Sequence, residues 1–362
     1  MKIIDDRRAL HRIPELELDL PKTMEYLRKA LEGLNCQVLT PVGCAVCAFF
    51  DFGKDSAIAF RADMDALPIA EPQNKTYAST HEGKMHACGH DGHMAILLEL
   101  ARRLSNEKEL PHNVLLVFQP GEESPGGAKG ICESGVLTKF GVKAIFGLHL
   151  WPGLEEGKVF CRENEMMSHA SEINVDIYGR SAHIAKYQEA VDAMAAAMEF
   201  LRQAEQMEKS LPEGIYRLLK FGRMTSGTVR NAISDHSRIE GSLRAFQDDI
   251  FDHMVTQLDA IAQCISQQFG CRVEINRSEG YPAVMNPPAL YKKVAQLLPL
   301  ADPGDPSMTA EDFSHYQQQV PGIFFWLGLG DVAPLHNENF DFDESILVKG
   351  ADFFMELAKK FQ

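Results

Sequence analysis

Short runs of apolar, β-branched residues alternate with stretches of helical periodicity along the first half of the chain. This alternation is typical of α/β folds, in which helices connect the strands of a buried sheet. One helical stretch, DGHMAILLELARRL, carries apolar residues at helical spacing and ends in two arginines. The pattern predicts strands at 45–51, 56–61, 113–118 and 143–150, and helices at 21–34 and 91–104.

A second pattern begins at Ser168 and indicates a separate domain. The order strand–helix–strand–strand–helix–strand is typical of a self-contained α+β sandwich, and its length of about 110 residues is usual for a domain. After Tyr281 the first pattern returns, with a helix near 290–298, the apolar run GIFFWLGLG and a closing helix at 346–361. The sequence therefore predicts a three-layer α/β domain, formed by residues 1–168 and 280–362. An inserted ferredoxin-like α+β domain occupies 169–279.

Composition and charge exclude several classes of protein. Of the 362 residues, 45% are hydrophobic and 24% charged, which excludes disorder as the main state. A formal net charge of −15 argues against a nucleic-acid partner. No apolar run approaches the roughly 18 residues of a membrane span. The charged N-terminus and eight scattered cysteines lead us to expect a cytoplasmic protein with mostly buried thiols.

Side chains that can bind metal ions follow the predicted strands. In open α/β sheets, ligands bind beyond the carboxyl ends of the strands, so we expect these residues to converge there. Imidazole, thiolate and carboxylate together favour zinc, manganese, cobalt or nickel over calcium or magnesium. Their number suits two ions bridged by a water better than one. The candidates are Asp63, Asp65, His86, Cys88, His90, Asp91, His93, Glu122, Glu123, His149 and His336.

The neighbouring pair Glu122 and Glu123 is a second indication. Two adjacent carboxylates at a strand end repel each other unless one binds a cation and the other acts as a base. Glu123 as metal ligand and Glu122 as general base would separate their pKa values. The alternative is that both side chains point into solvent, as most glutamate pairs do.

Several of these motifs together resemble one known family. They are RADMDALP, MHACGHDGH, FQPGEE followed by GGA, LHLWP, MTAEDFSHY and LHNENFDFDE, in that order. The set is similar to the aminoacylase/carboxypeptidase family of dinuclear metallohydrolases. More narrowly, it resembles the amidohydrolase branch with hippurate hydrolases, auxin-conjugate hydrolases and N-acetyldiaminopimelate deacetylases.

The resemblance implies roles for individual residues. It implies two divalent metal ions, with Cys88 as a bridging thiolate. Asp65 would orient His90, and Glu122 would be the general base that takes a proton from the attacking water. The five implied metal ligands are Cys88, His90, Glu123, His149 and His336.

The same resemblance makes the inserted domain a lid and a dimerisation module. His183 would polarise the scissile carbonyl, often across the dimer, although its neighbours in GRSAHIAKYQ depart from the family's usual GGHAA and Pro-His. Asn231 and Arg244 match a further pair of lid residues. Arg244 either binds a substrate carboxylate or forms an interstrand ion pair.

Some other polar residues have a plain structural interpretation. We expect His93 to pack or cap a helix, and we leave His86 open between packing and supporting a metal ligand. Glu311 and Asp312 either line the pocket or provide stabilising acids at a helix N-terminus.

The function expected from the sequence is a homodimeric metalloamidase that cleaves a small-molecule N-acyl amino acid, with the acetyl group as the first candidate. A dipeptidase or carboxypeptidase using the same site is one alternative. The other is a catalytically idle protein that binds amino-acid conjugates.

Overall fold

A computed structural model describes residues 1–362, which divide into two compact units. The first contains residues 1–166, 284–305 and 311–362, and the second contains 167–283 and 306–310. The second unit contains the segment 169–279 and includes a short segment near residue 308. The predicted fold class, an α/β domain with a separate α+β domain, is confirmed.

The chain forms thirteen strands, and most of the predicted ones occur within one or two residues of their expected bounds. The strands are β1 Gln37–Leu39, β2 Val46–Phe50, β3 Ala57–Asp63, β4 Asn113–Gln119, β5 Val142–Trp151, β6 Val159–Phe160, β7 Asn164–Met167, β8 His169–Tyr178, β9 Arg217–Ser226, β10 His236–Ala245, β11 Arg272–Arg277, β12 Val284–Asn286 and β13 Gly322–Gly328.

Ten α-helices connect these strands, and none of them is long and apolar enough to cross a membrane. A short 3₁₀ helix, Ile184–Glu189, precedes the sixth. The α-helices are α1 Lys2–His11, α2 Pro21–Leu31, α3 His90–Leu104, α4 Ala128–Glu133, α5 Val136–Lys139, α6 Ala193–Ser210, α7 Asp248–Phe269, α8 Pro288–Leu297, α9 Ser314–Gln317 and α10 Ile346–Lys360.

A seven-stranded sheet in the order β1-β2-β4-β3-β5-β13-β6 forms the centre of the first unit. The four strands β4, β3, β5 and β13 are parallel, and the outer strands are antiparallel. All seven residues of β3, β4 and β13 are buried. Continuous burial on both faces explains why these strands are mostly apolar along their whole length.

Helices cover both faces of this sheet. Helix α3 packs against α1, α2 and α10 and against β3, and the side chains of Ile58, Phe60 and Ala62 join that core. Because side chains alternate along a strand, Arg61 points to the opposite face. On that face Arg61 hydrogen-bonds to Asp312, and the backbone N–H of Ala128, the first residue of α4, donates to the same carboxylate.

The second unit is a four-stranded antiparallel sheet with two helices. The strand order β11-β8-β10-β9 and the chain order β8-α6-β9-β10-α7-β11 are those of a ferredoxin-like sandwich. Its own apolar core contains Ile173, Val175, Phe200, Ile239 and Leu258. The strand β9 lies at one edge of the sheet.

Candidate metal centre

A left-handed glycine places two candidate ligands at the start of α3. Gly89 has φ of +88°, a conformation that residues with a side chain rarely adopt. A Cβ at this position would also lie 3.3 Å from Leu150 Cδ1. The tight turn at Gly89 allows Cys88, just before the helix, and His90, its first residue, to serve one site.

Backbone carbonyls fix the tautomers of two histidines. His90 Nδ1 donates to the carbonyl of Asp65 over 2.8 Å, and His149 Nδ1 donates to the carbonyl of Leu150 over 2.7 Å. In both rings Nε2 is left as the atom with a free lone pair. Burial lowers the pKa of both imidazoles, which keeps the lone pairs available to a metal ion.

Two groups of ligand atoms meet at Cys88. One contains Cys88, His90 and His149, and the other contains Cys88, Glu123 and His336. Within each group the ligating atoms lie within 4.8 Å of one another, and Cys88 Sγ lies 3.4 Å from His149 Nε2. The five predicted ligands therefore come together as two triads that share one sulfur.

The chemistry of these donors fits divalent metal ions. His90 Nε2 is fully buried and has no hydrogen-bond partner, and carboxylate oxygens of Asp63 and Glu123 lie 3.7 and 3.9 Å away. Burial and the carboxylates of Glu123 and Glu122 raise the pKa of the Cys88 thiol. A thiolate there needs a cation, and a coordinated thiol is deprotonated. The unpaired lone pair of His90, the imidazole of His149 and a buried thiol beside a carboxylate are a donor set for two ions.

The backbone at His336 is strained. This residue has φ of +61°, which costs a non-glycine residue about 1–3 kcal/mol. Its N–H donates to the carbonyl of Ala87 over 2.8 Å, and its Nε2 lies 3.1 Å from Glu123 Oε1. The strained turn thus holds the imidazole against its candidate co-ligand.

The two glutamates of the strand-end turn have different environments. Burial raises the pKa of Glu122 well above its usual value, and the carboxylates of Glu311 and Glu123 add to this rise. Burial also acts on Glu123, but the hydrogen bond to His336 and the nearby His90 lower its pKa below the usual value. The directions of the two shifts match a base at Glu122 and a ligand at Glu123.

The side chain of Asp65 has a different role from the one predicted for it. The sequence led us to expect that its carboxylate orients His90, but His90 is held by the backbone carbonyl of Asp65. The carboxylate accepts the backbone N–H groups of Glu122 and Glu123, each over 2.9 Å. The hydrogen bond to the His90 ring thus comes from the backbone carbonyl of Asp65. The carboxylate of Asp65 instead fixes the turn that carries Glu122 and Glu123.

Of the two neighbouring histidines, His93 has hydrogen-bond partners on both ring nitrogens and His86 has none. His93 Nε2 accepts the N–H of Leu150 over 2.9 Å, so its Nδ1 carries the proton and donates to Asp63 over 2.6 Å. This matches the expected packing role of His93. His86 is fully buried, and neither ring nitrogen has a hydrogen-bond partner.

The remaining three predicted site residues lie in the second unit. His183 and Asn231 are exposed neighbours, because the N–H of Ile184 donates to the carbonyl of Asn231 and His183 bridges to Ala232. Arg244 is partly buried on β10, where Nη1 donates to the carbonyl of Met308 and Nε to Ser242 Oγ. Its hydrogen bonds thus go to neutral oxygens and not to a carboxylate across the strands.

One charged residue of the site was not anticipated from the sequence. Arg61 lies on β3 with its side chain 1% exposed, and it contacts the carboxylates of Asp63, Glu311 and Asp312. The sequence does contain an indication of this residue, because an arginine interrupts the otherwise apolar run AIAFRAD. Glu311 and Asp312 lie just before α9, where Glu311 accepts the N–H of Phe313, and both are buried in a charge network with Arg61.

Comparison with known families agrees with this geometry. Residues 59–360 match the model of peptidase family M20/M25/M40. The chain belongs to this family. The resemblance inferred from the motifs is thereby confirmed at the level of the family, and the protein is an M20 hydrolase.

Relatives extend the M20 assignment over the whole chain. An uncharacterized hydrolase of Staphylococcus haemolyticus is 34% identical over 366 residues, which cover 97% of this chain and 96% of the relative. A solved structure from methicillin-resistant Staphylococcus aureus has a TM-score of 0.90 at 28% identity, with 98% and 95% of the two chains covered. The YXEP protein of Bacillus subtilis, described as a dinuclear metal-binding peptidase of the M20 family, has a TM-score of 0.86 at 30% identity, with 99% and 96% covered.

Proposed function

We propose that this M20 hydrolase is an amidohydrolase that cleaves the amide bond of N-acyl amino acids, with N-acetyl amino acids as the first candidates. The observation that carries the proposal is the pair of ligand triads sharing Cys88, next to a glutamate whose pKa is raised. Such a site suits attack by water on an unactivated amide.

Two divalent ions, of zinc, manganese, cobalt or nickel, would be held by Cys88, His90, Glu123, His149 and His336. When bound, they would lower the pKa of a coordinated water and attract the developing negative charge of the substrate.

The chain's own residues move the proton. Glu122 takes it from the attacking water and transfers it to the leaving amine, for which a carboxyl group with a raised pKa is suited. Asp65 keeps Glu122 and Glu123 in place through their backbone N–H groups. The base therefore need not rearrange before each turnover.

We assign substrate contacts to the second unit. His183 would contact the scissile carbonyl, together with the adjacent Asn231, and Arg244 would bind the carboxylate of the amino acid. The partial burial of Arg244 and its hydrogen bonds to neutral oxygens support this assignment, since its charge is left for a ligand.

We also propose a cytoplasmic homodimer formed through the second unit. Helix α6 exposes Met194 and Met198, one helical turn apart, with 42% and 57% of each residue accessible. Tyr187 is 61% exposed, and β9 is an edge strand. A second copy would cover such apolar side chains and extend the sheet. All eight cysteines are free thiols, which supports a reducing compartment.

The test is release of free amine from N-acetyl amino acids, N-benzoyl amino acids and dipeptides. Metal-free protein is reloaded in turn with zinc, manganese, cobalt or nickel. Glu122→Gln keeps the shape of the side chain but removes the base, so turnover should fall about 10²–10⁴-fold while metal content stays unchanged. The exposed Glu133→Gln is the control and should retain full activity.

The outcomes distinguish the alternatives. Release from dipeptides alone would favour a peptidase, as YXEP is described. Binding of an N-acyl amino acid without release under any metal would favour a catalytically idle binding protein. Activity that survives Glu122→Gln unchanged would contradict the role of Glu122.

A further inference from the structure

The candidate base Glu122 belongs to a group of three buried carboxylates. Oxygens of Glu122, Glu311 and Asp312 lie within 4.8 Å of one another, and all three residues are buried. Asp63 belongs to the same surroundings, because it shares the guanidinium that contacts Glu311 and Asp312. Spacing of this kind would by itself suit a further divalent ion.

A single guanidinium lies among these acids. Arg61 Nη1 donates to Asp63 over 2.7 Å, and Nη2 lies 2.9 Å from Glu311 and 2.8 Å from Asp312. Its Nε donates to Gln119 over 2.8 Å. The position that a cation would take among Glu311 and Asp312 is therefore already filled by a charge that belongs to the chain.

Further hydrogen bonds tie the acids to this arrangement. Asp312 accepts from both Arg61 and the amide of Gln119, and it also accepts the backbone N–H of Ala128 over 2.9 Å. Glu311 accepts the backbone N–H of Phe313 over 3.0 Å. The lone pairs of Asp312 are thus directed at N–H groups, not towards a common point where an ion could bind.

We propose that Arg61 is a positioning residue that acts as a fixed counter-cation: it keeps Glu311 and Asp312 from recruiting a metal ion, and so leaves Glu122 without a metal as the base. This inference rests on the proposed function, because it assumes that Glu122 is the base of a two-ion site. It adds a reason why a carboxylate-rich centre binds two ions and no third.

The physical argument compares a guanidinium with a metal ion. Buried carboxylates at this spacing repel one another unless a cation or protons compensate them. A guanidinium stays charged and offers N–H groups in a fixed fork, so it compensates neighbouring carboxylates without forming a coordination bond to any of them. A divalent ion in the same place would coordinate Glu122 as well and remove the lone pair that accepts the proton of water.

Arg61→Gln tests the proposal through metal stoichiometry. Metal-free protein is dialysed against Mn²⁺ alone, and bound manganese per chain is measured by mass spectrometry. We expect about one ion more per chain in Arg61→Gln than in the wild type. If that ion coordinates Glu122, kcat should fall about 10²–10⁴-fold, as for loss of a base, with much less change in KM.

Arg7→Gln is a matched control, because Arg7 is also fully buried among three carboxylates. It contacts Asp91, Asp341 and Glu344 at 2.8–3.1 Å, but these acids do not form a group that could hold an ion. This variant should lose thermal stability and keep the wild-type ion count. Arg61→Lys retains a cation and should restore that count.

Three results would overturn the proposal. They are an equal ion count in Arg61→Gln and the wild type, an extra ion in Arg7→Gln as well, or an extra ion that Arg61→Lys also binds. If Arg61→Gln does not fold when metal-free, refolding with and without Mn²⁺ decides: recovery only with the ion supports the proposal, and equal recovery contradicts it. A wild type that binds fewer than two ions would instead contradict the proposed function.

Discussion

The carboxylate of Asp65 accepts a hydrogen bond from the backbone N–H of Glu122 over 2.9 Å. Its second oxygen accepts from the N–H of Glu123 over the same distance. One side chain therefore fixes two successive peptide groups, and the two glutamates on them are the candidate base and a candidate metal ligand. The orientation of one relative to the other depends on an aspartate 57 residues earlier in the chain.

Asp65→Asn tests this relationship. An asparagine side chain has one oxygen, so it can accept from one of the two N–H groups while its amide opposes the other. We expect kcat/KM to fall about 10–100-fold, as for other residues that support a metal site. The control is Asp51→Asn, which alters an exposed carboxylate that also accepts a backbone N–H, from Gly53, outside the site. Unchanged kinetics in Asp65→Asn would contradict the role.

Cys88→Ala should affect both ions, because Cys88 belongs to both ligand triads. His149→Ala removes a ligand from one triad only. We therefore expect metal analysis to show loss of both ions from Cys88→Ala and retention of one by His149→Ala. Cys47→Ala removes another fully buried thiol, on β2, and should keep the wild-type content. Equal loss in Cys88→Ala and His149→Ala would show that the sulfur is not shared.

Arg244→Met tests the assignment of the substrate carboxylate. Loss of a charged hydrogen bond costs about 1.5–3 kcal/mol, so kcat/KM for N-acetyl amino acids should fall about 10–100-fold. The internal control is the corresponding N-acetyl amino acid amide, which has no carboxylate and should lose little. An equal loss for both substrates would mean that Arg244 supports the fold of the second unit.

His11 should make stability depend on pH. Its Nδ1 lies 2.7 Å from Asp91 and its Nε2 lies 2.9 Å from Glu71, so both nitrogens donate in the charged form. Burial opposes this charge, but Asp91 and Glu71 raise the pKa of His11 overall. A raised pKa stabilises the fold below the unfolded value of about 6.5 and loses that effect as pH rises through the folded value.

The comparison of His11→Gln with the wild type measures this effect. We expect the melting temperatures of the metal-free proteins to differ most near pH 5.5–6 and to approach each other as pH rises towards 9. His81→Gln alters a half-buried histidine in the same unit that contacts Lys22 and the carbonyl of Pro14, and it serves as the control. A difference for His11→Gln that stays constant over this range would show that His11 is neutral in the fold.

Local pattern in the sequence was sufficient for the central strands of the sheet and for the order of the candidate ligands along the chain. The buried strands β3, β4 and β5 were visible because a parallel sheet demands continuous apolar runs. Helix α1 was not predicted, because its buried face carries Asp6, Arg7 and His11. Charged residues at these positions are typical of a segment exposed to solvent. Such polar faces are buried only when distant partners compensate them, here Asp91 and Glu344.

The sequence by itself determined the architecture, the residue types of the site and their place at strand ends, because all three follow from periodicity and from residues close in the chain. Only the tertiary structure decided which atoms are free. The backbone carbonyls of Asp65 and Leu150 determine the tautomers of His90 and His149. The side chain of Arg61 donates a hydrogen bond to Asp312, which lies 251 residues later in the chain. Contacts of this separation leave no local pattern, since they depend on how the layers pack and not on the order of neighbouring residues.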